Sequence, residues 1–263
     1  MGSGSKQFRA PHVVLLGARI QGRPGIPGSS VKGVLRARYE AITRSCTSLV
    51  PDRKASINSR TGIKKAYLTA TALRAPVLSD GCTEKSSCSA CALFGRMSLR
   101  SRITVTDLVS DQDTRFVPEV LPERFSPNLH HVGPAMRDAS GTAFEVHGLH
   151  GRKFHLGKGP AADTRQHVEA IPAGARLTGQ IRCFNVTPAE LGGLLTALGC
   201  EPASALKLGG GKAHELGRAR ARCAFPPDGP PIDLAQCRRA FLESPDRWAD
   251  GETRLVELHR GAC

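Results

Sequence analysis

Apolar and polar positions along this chain alternate between two rhythms. The run Val13-Val14-Leu15-Leu16 predicts a first strand around Val13–Ile20, and a short link, Gln21–Pro27, follows it. From Val31 to Arg44 apolar residues recur every three or four positions, the spacing of one helix face. Strict alternation over Arg100–Asp107 and again over Arg176–Phe184 predicts two strands. Thr187-Pro188-Ala189-Glu190-Leu191 sets a capping threonine before a proline at the first helical position, so a second helix runs to about Leu198. A strand over Gly217–Phe225, prolines at 226, 227, 230 and 231, and a final helix near Leu234–Leu242 close the pattern. Strand-helix-strand repeated in this way implies an α+β class with a ferredoxin-like (RRM-like) palm and helices on one side of the sheet.

Two stretches break the rhythm. Residues 45–81 are polar and irregular, with one short helix expected near Lys64–Leu73. Residues 110–165 are rich in Pro, Gly, His and charge, and are too long for an ordinary loop, which makes them a projecting hairpin or functional insertion. The expected organisation is a flexible leader over 1–9, one domain over 10–225 interrupted at 45–95 and 110–165, and a C-terminal extension over 226–263.

Composition narrows the function. The 263 residues suffice for a substantial core, and their mean hydropathy is −0.22. No apolar run approaches the roughly 20 residues a membrane helix needs, and no signal peptide opens the chain, so no membrane partner and a cytoplasmic location are expected. The formal net charge is +14. Residues 1–75 carry fourteen Lys/Arg against only Glu40 and Asp52, a bias suited to a polyanion whose counterions are released on contact. Aromatic residues are only 5%. Base stacking is therefore given a minor role, and backbone contact with a nucleic acid the major one.

Two loops are suited to a phosphate. Gly28, Ser29 and Ser30 open the first helix, where its free N–H groups, its dipole, Lys32 and Arg36 all favour an anion; Ser29 and Ser30 serve equally as plain helix caps. Gly209, Gly210 and Gly211 allow close backbone approach beside Lys212, His214 and Arg218. This second loop is not a Walker P-loop, because Ala213 stands after Lys212 where Ser or Thr is needed.

Nine cysteines, odd in number and with three inside ten residues, argue for a metal rather than a disulfide framework. Cys82-x5-Cys88-x2-Cys91 supplies three thiolates of a structural zinc site, Zn2+ wanting four ligands. Cys46 is the expected fourth, with His12 or the His130/His131 pair as alternatives. Cys183, Cys200, Cys223 and Cys237 read as core thiols.

Four motifs in order resemble the RAMP superfamily of CRISPR proteins, most of all the Cas-seven backbone subunits of type III effector complexes. They are Ile26-Pro27-Gly28-Ser29-Ser30-Val31-Lys32-Gly33 with Arg36; Leu93-Phe94-Gly95 followed by Arg102-Ile103-Thr104-Val105-Thr106-Asp107; Met136-Arg137-Asp138-Ala139-Ser140-Gly141-Thr142-Ala143; and Leu208-Gly209-Gly210-Gly211-Lys212 with Leu216-Gly217-Arg218. The resemblance implies a palm with a thumb near 110–160, in which Phe116 and Met136 are candidate base-displacing wedges, or plain hydrophobic plugs. It implies copies stacked as a filament along a crRNA that pairs with target RNA, beside other effector subunits. The RNA-binding residues it carries over are Gly28, Ser29, Ser30, Lys32, Arg36, Arg38, Arg137, Gly209, Gly210, Gly211, Lys212, His214 and Arg218.

In that family, subunits that slice target RNA carry an aspartate between first strand and first helix. Here Gln21–Pro27 holds no carboxylate, and the first acidic residue is Glu40. A non-slicing backbone subunit is the leading expectation, in a type III complex or in the compact type VII group where a separate nuclease cuts. Alternatives are a target-cleaving type III backbone subunit, and a metal-independent RNase processing precursor crRNA through His130, His131, His147, His150, His155 and His214. A regulator of duplex DNA lacks any helix-turn-helix signature.

Overall fold

The structure, a computed structural model, describes residues 14–46, 54–56, 77–78, 82, 86–96, 98–121, 135–137, 143–146, 166–200, 204–211 and 216–260. Its N-terminal region differs from the single strand and link read from the sequence. After β1 (Val14–Leu15), a tight hairpin joins β2 (Arg19–Ile20) to β3 (Arg23–Ile26). Gln21 and Gly22 turn it with φ of 52° and 77°, the left-handed pair that matches strand twist in a two-residue hairpin. Pro24 and Gly25 disguise β3 in the sequence, since neither favours a strand.

From β3 the chain passes directly into α1, Gly28–Ile42, three residues earlier than its apolar period suggests. β3 pairs antiparallel with β8 (Leu108–Ser110), and β8 with β13 (Leu177–Thr178), giving the order β13-β8-β3-β2. β7 (Ile103–Val105) pairs antiparallel with β14 (Ile181–Cys183). β7 and β8 are thus halves of one strand, and β14 and β13 halves of its partner, as the two alternating segments lead one to expect. Between the pairs Val105↔Ile181 and Val109↔Thr178, Thr106–Leu108 oppose only Gly179 and Gln180. The extra residue is a β-bulge, which re-aims a side chain. The α+β class agrees with the sequence. A ferredoxin-like interleave would keep the strands flanking the first helix parallel and apart, whereas β3 and β8 pair directly and antiparallel.

The ends of the 110–165 insertion meet at its base: β9 (Val117–Leu121) runs antiparallel to β12 (Gln166–Ala170), and β1 lies parallel on the other side of β12. Further out, β10 (Ala135–Arg137), β11 (Ala143–Val146) and β5 (Lys54–Ser56) form a sheet in the order β10-β11-β5, so the two insertions share a ladder. β4 (Ser45–Cys46) runs parallel to β6 (Val77–Leu78), and β15 (Leu206–Lys207) forms a hairpin with β16 (Arg218–Ala219). The helix expected near Lys64–Leu73 lies outside the described residues.

The core lies between α1 and the helices α2 (Ser89–Phe94), α3 (Pro188–Leu198), α4 (Leu234–Leu242) and α5 (Ala249–Arg260). Val31, Leu35, Tyr39 and Ile42 form the buried stripe of α1, and the Tyr39 and Phe94 rings stand 5.5 Å apart. α3 begins as its sequence indicates: Thr187 Oγ1 accepts from the Glu190 N–H, and Glu190 accepts in return from the Thr187 N–H. Residues 234–260 belong to this core rather than trailing from it. Phe241 and Leu255 are buried, the Trp248 N–H donates to the Ile42 carbonyl at 2.7 Å, and the Arg44 N–H to that of Asp246 at 2.7 Å. Each such buried side chain contributes about 1.5–3 kcal/mol.

Candidate nucleic-acid interface and metal centre

The start of α1 is closed by protein groups. Its N-cap is Pro27, with no side-chain cap, and Ser29 and Ser30 sit exposed within the first turn. The capping role expected of the two serines falls instead to Asp107, whose Oδ1 accepts from the Gly28 N–H at 2.7 Å. The Ser30 and Val31 N–H groups both donate to the Pro27 carbonyl. The bulge in the β7/β8 strand aims Asp107 at this position. Gly28 permits the approach, since a Cβ there would lie 2.2 Å from the Val105 carbonyl oxygen. The anion place at the helix axis is thereby filled by a carboxylate of the chain itself.

The basic residues of α1 separate by face. Lys32 is half-buried, and burial together with the Arg36 charge holds its ammonium below the usual lysine range. Arg36 points inward: it donates to Glu40 at 2.8 Å, to the Gly95 carbonyl at 2.8 Å, and lies 3.6 Å from the Cys91 sulfur. Burial works against its charge, yet Glu40 keeps its pKa above the ordinary arginine value. Arg38 corrects the sequence reading outright. It is 2% exposed, and its guanidinium donates to the carbonyls of Ala197 and Ala205 and to Ser204 Oγ. Burial pulls its pKa down to about 10, which still leaves it charged at neutrality. Arg38 is an interior brace, not an RNA contact.

The second loop is described on either side of residues 212–215. Leu208 is buried and its N–H donates to the Gly217 carbonyl at 2.8 Å, while Gly209 and Gly210 are exposed with open space around them. Lys212 and His214 lie outside the described residues, as do His12, His130, His131, His147, His150 and His155. Arg137 and Met136 lie in β10, described by its backbone pairing alone. Arg218 heads a series missed in the sequence: Arg218, Arg220 and Arg222 are all exposed, while Ala219 and Ala221 are half-buried, Ala221 against the core. The signal was legible as Arg-Ala-Arg-Ala-Arg, a period of two that puts every charge on one face.

Phe116 does not project. Its ring packs against Gly17 and lies under the Arg19 guanidinium, 4.7 Å from carbon to ring centroid. Arg19 makes a two-pronged pair with Glu169 at 2.8 Å for each bond, and the Gly17 N–H donates to the same carboxylate. This replaces the wedge role with packing at the base of the insertion. An open cleft of about 720 Å³ follows, lined by Arg19, Gln21, Arg23, Arg115, Phe116 and Glu169 among others.

The cysteine reading gathers in space. Ligand atoms of Cys46, Cys82, Cys88 and Cys91 all lie within 4.8 Å of one another, Cys46 and Cys91 at 3.5 Å, a set able to hold a metal ion. Cys46 arrives on β4, just past α1, and Cys88 caps α2 by accepting from the Cys91 N–H. The Cys88 N–H donates to the Cys82 sulfur at 3.0 Å. Burial raises the thiol pKa of Cys46 and that of Cys91, the latter to about 11. At Cys88 burial also pushes upward, but the backbone N–H groups of Cys46 and Cys91 outweigh it and leave the pKa lowered. Gly95 ends α2 with φ of 81°, and Arg102 then clamps the junction. It donates to the Ala92 carbonyl at 3.0 Å and pairs with Glu190 of α3.

The motifs that meet here define a class. The chain belongs to the RAMP superfamily, whose profile matches residues 4–218, most of its length. It is thereby one of a group of CRISPR-associated RNA-binding proteins. A search among curated proteins gives no match. Among the described residues, no helix is long and apolar enough to cross a membrane.

Proposed function

We propose that this chain is a crRNA-binding backbone subunit of a CRISPR ribonucleoprotein, coating the guide in the cytoplasm as a filament of copies and presenting it for pairing with target RNA. The observation that carries this reading is the exposed edge at β15–β16, where Gly209 and Gly210 are exposed with no neighbour crowding the Cβ position, and Arg218, Arg220 and Arg222 are exposed on one face. Such groups hold ribose and phosphate and leave base edges unread, as a subunit serving any guide requires. Exposed Ser29 and Ser30, with half-buried Lys32, add hydroxyl and ammonium donors at the start of α1.

The subunit does not slice. The segment Gln21–Pro27, where slicing relatives carry an aspartate, holds the β2–β3 turn and β3, and no carboxylate. Cleavage then falls to a separate nuclease, in a type III-like or type VII-like complex.

The four thiols hold a structural zinc. Zn–S bonds of about 2.3 Å in a tetrahedron imply sulfur separations of about 3.8 Å, compatible with a cluster whose ligand atoms all lie within 4.8 Å. Bound zinc supplies positive charge that offsets the desolvation of the thiolates. It pins β4 to the start of α2 and so fixes the first insertion to the palm.

The test is to isolate the protein from cells holding a CRISPR array, digest exposed RNA and sequence what remains. Guide-derived fragments whose length grows by a constant increment per subunit support the reading. Recovery of protein with no RNA, or with RNA unrelated to the array, refutes it.

A further inference from the structure

Two thiols read from the sequence as separate core residues meet at the surface. The sulfurs of Cys200 and Cys223 are 2.8 Å apart and not joined by a disulfide, with Cys200 half-buried and Cys223 exposed. Neither belongs to the four-sulfur cluster. Cys200 is held firmly: it follows Gly199, the left-handed cap of α3, and its N–H donates to the Leu195 carbonyl at 3.1 Å. Cys223 stands in the extended segment after β16, two residues beyond Ala221, which packs on the core. The contact therefore joins two anchored pieces of backbone.

Among the described residues, the other thiols outside the cluster, Cys183 and Cys237, contrast with this pair. Burial raises the pKa of Cys183 and of Cys237, which keeps them protonated and slow to react. The hydrogen bond from Cys200 outweighs burial at Cys223 and brings its pKa down to about 7. An exposed thiol with a large thiolate fraction and a second sulfur in contact is the arrangement of a reactive cysteine beside a resolving one.

We propose that Cys200 and Cys223 are a reversible oxidation site, forming a disulfide when the protein meets a peroxide. The Cys223 thiolate attacks one peroxide oxygen; the O–O bond breaks, the sulfur becomes a sulfenic acid, and the departing hydroxide takes a proton to leave as water. The Cys200 sulfur then attacks the Cys223 sulfur; the S–S bond forms, the S–O bond breaks, and hydroxide leaves with the Cys200 proton as a second water. Two thiols lose two electrons and two protons, and hydrogen peroxide accepts them. A dithiol reductant reverses the reaction by exchange.

The bond ties the end of α3 to the segment leaving β16 and closes a covalent loop around the hairpin that carries Gly209–Gly211. Its bearing on RNA rests on the function proposed above; the oxidation chemistry does not.

The purified full chain is treated with hydrogen peroxide, alkylated with iodoacetamide, digested with trypsin and mapped by mass spectrometry. The tryptic peptides 183–207 and 223–238 each contain two cysteines, so fragment ions assign the linked sulfurs. The expected product joins Cys200 to Cys223, lighter by two hydrogens than the reduced pair, with Cys183 and Cys237 alkylated and the link lost in dithiothreitol. In C200S, Cys223 has no resolving partner and is trapped by dimedone as its sulfenic acid. Full alkylation of Cys200 and Cys223 after peroxide, or a link from either to another cysteine, overturns the proposal. Guide-RNA affinity measured on the oxidised and reduced protein separates the two readings. A mapped link in a protein that binds no RNA in either state sustains the disulfide and removes only the RNA function.

Discussion

The carboxylate of Asp107 stands 2.7 Å from the backbone nitrogen of Gly28, across 79 positions of sequence. It joins two of the four motifs that carry the resemblance of this chain to its family. The glycine is needed because the bulged strand leaves no room for a Cβ, and the aspartate because the bulge aims its side chain at the helix start. Both build a junction between sheet and helix, and neither needs RNA to account for it.

Replacing Asp107 with alanine leaves the Gly28 N–H facing an apolar side chain, and stability falls by about 1–2 kcal/mol, as for other lost caps. Asp107→Asn keeps an acceptor in place and loses less. Gly28→Ala loses more than either, because the Val105 carbonyl must move from a 2.2 Å clash. Urea denaturation midpoints give this order directly; an unchanged midpoint for Asp107→Ala removes the cap from the account.

Arg38→Met should cost about 3 kcal/mol or more, because each buried acceptor left without its donor costs about 1–3 kcal/mol. The carbonyls of Ala197 and Ala205 and the Ser204 hydroxyl all lose a donor. Arg38→Lys recovers little, since an ammonium cannot reproduce the planar fork. Thermal unfolding measures the loss, while RNA affinity per folded molecule stays unchanged. A folded Arg38→Met protein of normal stability and weakened RNA binding reverses the assignment.

The sequence made some of this legible and hid the rest for identifiable reasons. Thr187 and Glu190 specify the start of α3 locally, through a capping box that needs no tertiary partner. The alternating segments 100–107 and 176–184 form strands as their period suggests, but their pairing with each other and the bulge between them depend on a register the sequence does not display. β3 was hidden by Pro24 and Gly25, and α5 by its mixture of charged and small residues. Arg38 lies three positions after Leu35 and seven after Val31, on the apolar stripe of α1, so its burial was readable from spacing. Its charge drew the reading toward RNA instead. The cysteines were the clearest case, because three thiols at short spacing need a fourth and Cys46 was near in chain order. The meeting of Cys200 with Cys223 was illegible, as it follows from the packing of α3 against the segment after β16.

Removing the metal should loosen the first insertion before the helical core. One zinc per chain is expected by atomic absorption, none in Cys46→Ser or Cys91→Ser. A strong chelator should lower the melting temperature of the wild type but not of those variants. Arg36 will report the change as well, because its guanidinium bridges Glu40 and Gly95 beside the Cys91 sulfur. Wild type free of zinc, with a melting temperature indifferent to chelator, leaves the cluster as four packed thiols.

Arg220 and Arg222 give the sharpest separation between surface and interior charge. Both are exposed, so the double variant R220A/R222A should keep its stability within about 0.5 kcal/mol of wild type. If each arginine neutralises one phosphate of single-stranded guide, each loss flattens the dependence of log affinity on log salt by about 0.7. Titrating a guide-length RNA at several salt concentrations gives both slopes. The loss should be the same for guides of different sequence, because the contacts are with the backbone. A double variant with the wild-type slope, or one whose loss varies with guide sequence, removes the β15–β16 edge from the RNA path.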